Sequence, residues 1–162
     1  EDALSRIQTD LLDLKPDVAI IEFGMNDHVC YGVDEPKVDR EIYKTNLNSI
    51  IDKVRACGCD TSILCTIHPV VLHEYYTRHP RSFYQNPSGA DGYIDDYSLA
   101  VQETVSAKKV SVADINQQFK NYVNAGGKLS DLLLQDGVHP NGAGHEQYYR
   151  CIARAMNKLI NS

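Results

Sequence analysis

The stretch Val18-Ala19-Ile20-Ile21-Glu22-Phe23 constrains the fold most. Its β-branched side chains are stiff at χ1 and suit an extended, pleated backbone. The run is apolar at consecutive positions rather than alternate ones. That pattern predicts a strand covered on both faces, the signature of a parallel sheet between helix layers. Lys15-Pro16-Asp17 precedes it, and a proline disfavours helical geometry at the residue before it, so any earlier helix must stop there.

The rest of the chain alternates around this strand. Leu4, Ile7, Leu11, Leu12 and Leu14 recur at helical spacing, predicting an amphipathic helix over the first dozen residues. Residues 24–37 read as a loop. Tyr43, Leu47, Ile50, Ile51 and Val54 share one face of a helix over 38–56. Residues 61–67 form a second strand, closed by Pro69, and 68–92 a long connection rich in Pro, Tyr and His. A helix over 93–107, a strand over 109–113, a helix over 115–124 and a last helix over 144–160 follow. Strands alternating with helices predict one α/β domain over 1–162, a three-layer sandwich with a parallel sheet. In such sheets the crevice lies beyond the carboxyl ends of the strands. Gly24–Asp27, His68 and Asp114 each follow a strand directly and belong to that rim.

Composition narrows the partners. A net charge of −6 argues against unaided binding to nucleic acid or an anionic membrane. No run of apolar residues is long enough to span a bilayer. The compartment stays open, because the chain does not start with Met and an export signal upstream would be invisible. Five cysteines, with Cys57-Gly58-Cys59 too tight for the usual zinc or redox spacing, read as free thiols or at most one or two bridges. His68, His73 and His79 are unevenly spaced, nothing in the sequence makes them converge, and no metal or other cofactor is expected.

Two short stretches carry chemistry. Gly24-Met25-Asn26-Asp27 offers an amide donor, Asn26, at a strand's carboxyl end, where an uncharged N–H can hold a developing oxyanion. Gly24 would let the backbone turn, and Asp27 would accept backbone N–H groups and stiffen that turn. In Asp136-Gly137-Val138-His139-Pro140-Asn141 an Asp three residues before a His can fold onto one imidazole nitrogen, leaving the other to move a proton. Taken singly, each stretch also reads as an ordinary turn.

In this order and in an α/β context, the two stretches resemble the SGNH, or GDSL-type, hydrolases, whose fold is a flavodoxin-like three-layer sandwich. Gly24-Met25-Asn26-Asp27 matches the family's Gly-x-Asn-Asp block. Asp136-Gly137-Val138-His139 matches its Asp-x-x-His block. The likeness implies that His139 is the general base and then the acid, that Asp136 orients it, and that Asn26 donates to the oxyanion. The family's nucleophile-bearing Gly-Asp-Ser and its oxyanion Gly have no match here. The first two strands of the family's sheet should therefore lie upstream of Glu1. Without them the strand over 18–23 would be an apolar edge with open N–H and C=O groups, available for association. Something is expected to cover it.

The function implied is serine ester hydrolysis without cofactor, on short acyl esters such as acetyl, with the Ser supplied upstream of residue 1. The tyrosine-rich loop and the lack of a long apolar lid favour a sugar-like or other water-soluble carrier. Tyr75, Tyr76, Tyr84 and Tyr93 could instead simply pack the 68–92 loop, which is otherwise a candidate substrate lid. The alternative function is a catalytically inactive, truncated or non-enzymatic binding or assembly module. A flavodoxin-like phosphate site lacks support, because no Gly-rich loop follows the first strand.

Overall fold

The computed structural model describes residues 2–161. Its elements run in the order α1 (Asp2–Asp10), β1 (Val18–Glu22), β2 (Cys30–Gly32), β3 (Glu35–Pro36), α2 (Arg40–Ala56), β4 (Thr61–Cys65), α3 (Leu72–Tyr75), α4 (Ala90–Lys108), β5 (Ser111–Ala113), α5 (Ile115–Asn124) and α6 (Gly142–Ile160). Short 3₁₀ turns lie at Leu12–Leu14, Arg81–Phe83 and Leu129–Asp131. Three of the helices, α2, α5 and α6, start where a side chain satisfies the first free N–H groups. Asp39 accepts from Glu41 and Ile42 ahead of α2, Asp114 from Gln117 ahead of α5, and Asn141 from Ala143 and Gly144 ahead of α6.

The sheet order is β1-β4-β5, all parallel. Val18 pairs with Thr61 and Glu22 with Cys65, and Ile63 pairs with Ser111. This register sends Ala19, Ile21 and Leu64 to one face, where Leu47, Ile51 and Val54 of α2 and Ile94 and Val101 of α4 close the core. It sends Ile63, Cys65 and Ala113 to the other, against Ile115, Phe119 and Ala155 of α5 and α6. Helices on both faces of a parallel sheet make the three-layer α/β sandwich that the alternation implied.

Two local expectations are corrected. β1 is not covered on both faces: Ala19 and Ile21 are buried, but Ile20 is 50% exposed. The fully covered strand is β4, where Ser62 through Cys65 are all buried. The reason is topological. β1 is the edge strand, paired on one side only, and α6 lies over β4 and β5, leaving Ile20 beyond its cover. The second correction concerns the loop over 24–37, which contains the antiparallel hairpin β2–β3. Its tip residue Asp34 has φ +53°. The tip is strapped to the long connection: Asp34 N–H donates to Phe83 O at 2.8 Å, and Tyr93 donates to the Asp34 carboxylate at 2.7 Å. Strands of two and three residues carry too little periodicity to be read from sequence.

Candidate active site

At the carboxyl end of β1 the chain turns sharply at Gly24, φ +117°. A Cβ there would sit 3.0 Å from the Tyr43 hydroxyl and 3.1 Å from Ile67, so both the dihedral and the space favour glycine. The turn closes on itself. Asp27 accepts from Gly24 N–H at 2.9 Å, and Asp27 and His28 both donate their backbone N–H to Gly24 O at 3.1 Å. Tyr43 anchors the preceding residue by donating to Phe23 O at 2.8 Å. With Asp27 used in the turn, the Asn26 side chain is left pointing outward, exposed and lining the cleft described below.

His28, which the sequence reading passed over, is the support beneath this turn. It is fully buried. Its Nδ1 faces Gly24 O at 3.0 Å and must donate, so in the neutral ring Nε2 must accept, here from the Tyr75 hydroxyl at 3.2 Å. Tyr75 in turn meets the Tyr84 hydroxyl at 2.8 Å, and Tyr84 accepts from Cys30 N–H at 3.2 Å. Every donor and acceptor in this chain has one consistent role only while His28 is neutral. Burial pushes its pKa down to about 4, against the raising effect of the bond to Gly24 O.

The Asp136–His139 loop is built from backbone staples. Gly137 takes φ +70°, and its N–H donates to Leu134 O at 2.9 Å while its O accepts from Val71 N–H at 2.8 Å. Leu134 N–H donates to His139 O at 2.8 Å. Arg78 donates to Asp136 O at 2.9 Å. The Asp136 carboxylate receives three donors: Val138 N–H at 2.9 Å, His139 N–H at 3.0 Å and the imidazole Nδ1 at 2.6 Å. These bonds, the backbone one from Val138 first, hold its pKa well below the usual carboxylate range. An ionised Asp136 favours the His139 tautomer with hydrogen on Nδ1, which leaves Nε2 as the ring's acceptor.

The two stretches share one cleft of about 590 Å³, whose lining includes Asn26, His68, Val138 and His139. His68 is buried, stacked on Phe119 at 5.2 Å, with Nδ1 2.9 Å from Pro69 O; burial lowers its pKa to about 4. Glu22 lies at the end of β1 and accepts from Tyr148 of α6 at 2.7 Å. Desolvation holds its pKa above the ordinary carboxylate value despite that bond. Glu22 was detectable as the one charged residue in an apolar strand. His145, in the first turn of α6, is exposed but also lines the cleft.

Other candidates fall into structural roles. Asp114 accepts from Thr66 at 3.0 Å as well as capping α5. Tyr75 and Tyr84 are buried in the 68–92 connection, Tyr76 accepts from Ala90 N–H at 2.9 Å, and Tyr93 is held by Asp34, so these rings pack the connection. Tyr75 alone among the four also lines the cleft. All five cysteines are free. Among the described residues, no three His, Cys, Asp or Glu side chains converge as a metal site would require.

The chain is 31% identical over 151 residues to the uncharacterized lipoprotein YqeF of Bacillus subtilis, covering 88% of this chain and 60% of that protein. It thus spans less than two thirds of that relative's length. Among solved structures it is similar to a lipase/acylhydrolase from Enterococcus faecalis, with TM-score 0.74 and 23% identity over 94% of this chain and 67% of that one. An acetylxylan esterase from Geobacillus stearothermophilus is also similar, with TM-score 0.74 and 24% identity over 95% of this chain and 65% of that one. At these identities the structural likeness speaks for the fold. The description of the GDSL-like lipase/acylhydrolase family matches residues 1–147, and the chain therefore belongs to that family.

Proposed function

We propose that this chain carries the base, the orienting carboxylate and an oxyanion donor of a serine ester hydrolase that acts on short acyl esters, acetyl foremost, of a sugar-like carrier. The observation that carries this reading is the single cleft lined by both Asn26 and His139, with Asp136 locked onto His139 Nδ1 at 2.6 Å. Family membership and the acetylxylan esterase among the similar structures support it. No serine among the described residues lines the cleft. The nucleophile is assigned to a segment preceding Glu1, which would pair with the free side of β1. A groove of about 190 Å³ along that edge, lined by Ile7, Leu11, Ile20, Ile21 and Phe23 among others, offers apolar surface to such a strand. Covering Ile20 alone would contribute about 1 kcal/mol.

In this scheme His139 Nε2 removes the serine hydroxyl proton as Oγ bonds to the ester carbonyl carbon. The carbonyl oxygen becomes an oxyanion held by the Asn26 amide. Collapse breaks the carbon–oxygen bond to the carrier, and His139 returns the proton to the leaving alcohol. Water, deprotonated by the same nitrogen, then releases the acid and restores the serine. Asp136 stays ionised throughout and stabilises the imidazolium.

The test compares residues 1–162 with the full-length protein on p-nitrophenyl acetate. Full-length protein should hydrolyse it and label at one serine with a fluorophosphonate, whereas residues 1–162 alone should show no rate above their His139→Ala variant. Full-length protein without a labelled serine or turnover would leave the non-catalytic binding-module reading in its place.

A further inference from the structure

We propose that the acyl carrier is an anionic sugar, bearing a carboxylate or a phosphate, and that Lys37 and Arg78 select it; this rests on the hydrolase reading above. The protein as a whole is acidic, with 22 Asp and Glu against 16 Lys and Arg. The cleft reverses that balance: Lys37 and Arg78 line it, and among the described residues Glu22 is the only carboxylate that does. Glu22 is already engaged by Tyr148, on the α6 wall. The two cations come from other walls, Lys37 from the segment leaving the β2–β3 hairpin and Arg78 from the loop after α3.

Neither cation is neutralised internally. Elsewhere on the surface, Arg40 and Lys44 both contact Glu103, Lys108 contacts Asp52 and Lys120 contacts Asp95. No carboxylate among the described residues lies within ion-pair distance of Lys37 or Arg78. Lys37 is held at the cleft by its backbone, whose N–H donates to Val29 O at 2.9 Å. Arg78 spends one donor on Asp136 O at 2.9 Å. A guanidinium has five, so a fork remains for an oxyanion. A concave site with an excess of one sign of charge focuses the field and concentrates counter-charged ligand. Tyr31, on the same hairpin and 68% exposed, lines the cleft too and presents a ring face of the kind sugars stack on.

The experiment uses full-length protein and three acetyl esters matched except for charge: those of a neutral methyl glycoside, a methyl uronide and a sugar phosphate. kcat/KM should favour both anionic esters over the neutral one by about tenfold. Raising the salt from about 0.01 to about 0.15 M should shrink that ratio. Lys37→Glu should bring it to unity or below, and Arg78→Gln should lower it. A ratio near unity in the wild type, or one unchanged in Lys37→Glu, overturns the proposal. Binding of the deacetylated sugars, followed by NMR shifts, separates the two readings. Charge-selective binding lost in Lys37→Glu, with no ester cleaved, would sink the hydrolase reading and keep the anion site; cleavage indifferent to carrier charge would do the reverse.

Discussion

The Gly24–Asp27 turn and the Asp136–His139 loop face the same cleft but are fixed by different physics. The first is held from beneath, by a buried chain of uncharged groups running Gly24–His28–Tyr75–Tyr84–Cys30. The second is held by an exposed ion: the His139 side chain is 68% and Asp136 28% accessible, and the loop's order comes from bonds converging on one carboxylate. A neutral buried network is sensitive to any change that charges one member. An ionised carboxylate with three donors is sensitive to loss of its own charge. In the proposed mechanism, the buried support suits an amide that must only stay in place, and the charged support suits a ring that must gain and lose a proton.

That contrast can be broken at several points. The largest effect is expected on the proton-moving side: in the full-length protein His139→Ala should lower kcat by about ten-thousandfold or more, with an unchanged circular dichroism spectrum. A modest loss would remove His139 from the general-base role. Next comes acid sensitivity of the buried side. His28 and His68 titrate near 6.5 when unfolded and near 4 when folded, so between those values the unfolded chain binds more protons. Their stabilisation is complete above about pH 6.5 and is lost as the pH falls toward 4, about 3 kcal/mol for each. The melting temperature should therefore drop steeply over that window, and His28→Gln should flatten the slope; parallel slopes would mean His28 is not held neutral.

Asn26→Ala should cost about a hundredfold in kcat while leaving stability nearly unchanged, because its amide makes no internal bond that the turn needs. If kcat is unchanged, the oxyanion is held by something else. The smallest effect is expected at Gly137→Ala, about 2 kcal/mol of stability by chemical denaturation. A methyl there meets φ +70° and a Glu74 Cβ only 2.7 Å away. A neutral outcome would show that the loop relaxes freely despite its backbone staples.

The contrast also explains what could be read in advance. Asp136 and His139 are three residues apart, so their pairing is local and legible from spacing. The turn is likewise local, with Asp27 accepting from Gly24. His28 escaped notice because its side-chain partner Tyr75 lies 47 positions away, and nothing in a one-dimensional pattern joins them. The hairpin carrying Tyr31 and leading to Lys37 was missed for a different reason, its strands being shorter than one period of alternation can establish.

The sequence by itself determined the layered α/β class, the positions of the main helices and strands, and the two chemical stretches, because each rests on periodicity or on contacts within a few residues. Only the tertiary structure decided that β4 rather than β1 is the strand covered on both faces, and that His145, Lys37 and Arg78 line the same cleft as Asn26 and His139. Those outcomes depend on strand order and on where α6 comes to lie, which are set by long-range packing of two hydrophobic layers and leave no mark on any short window of residues.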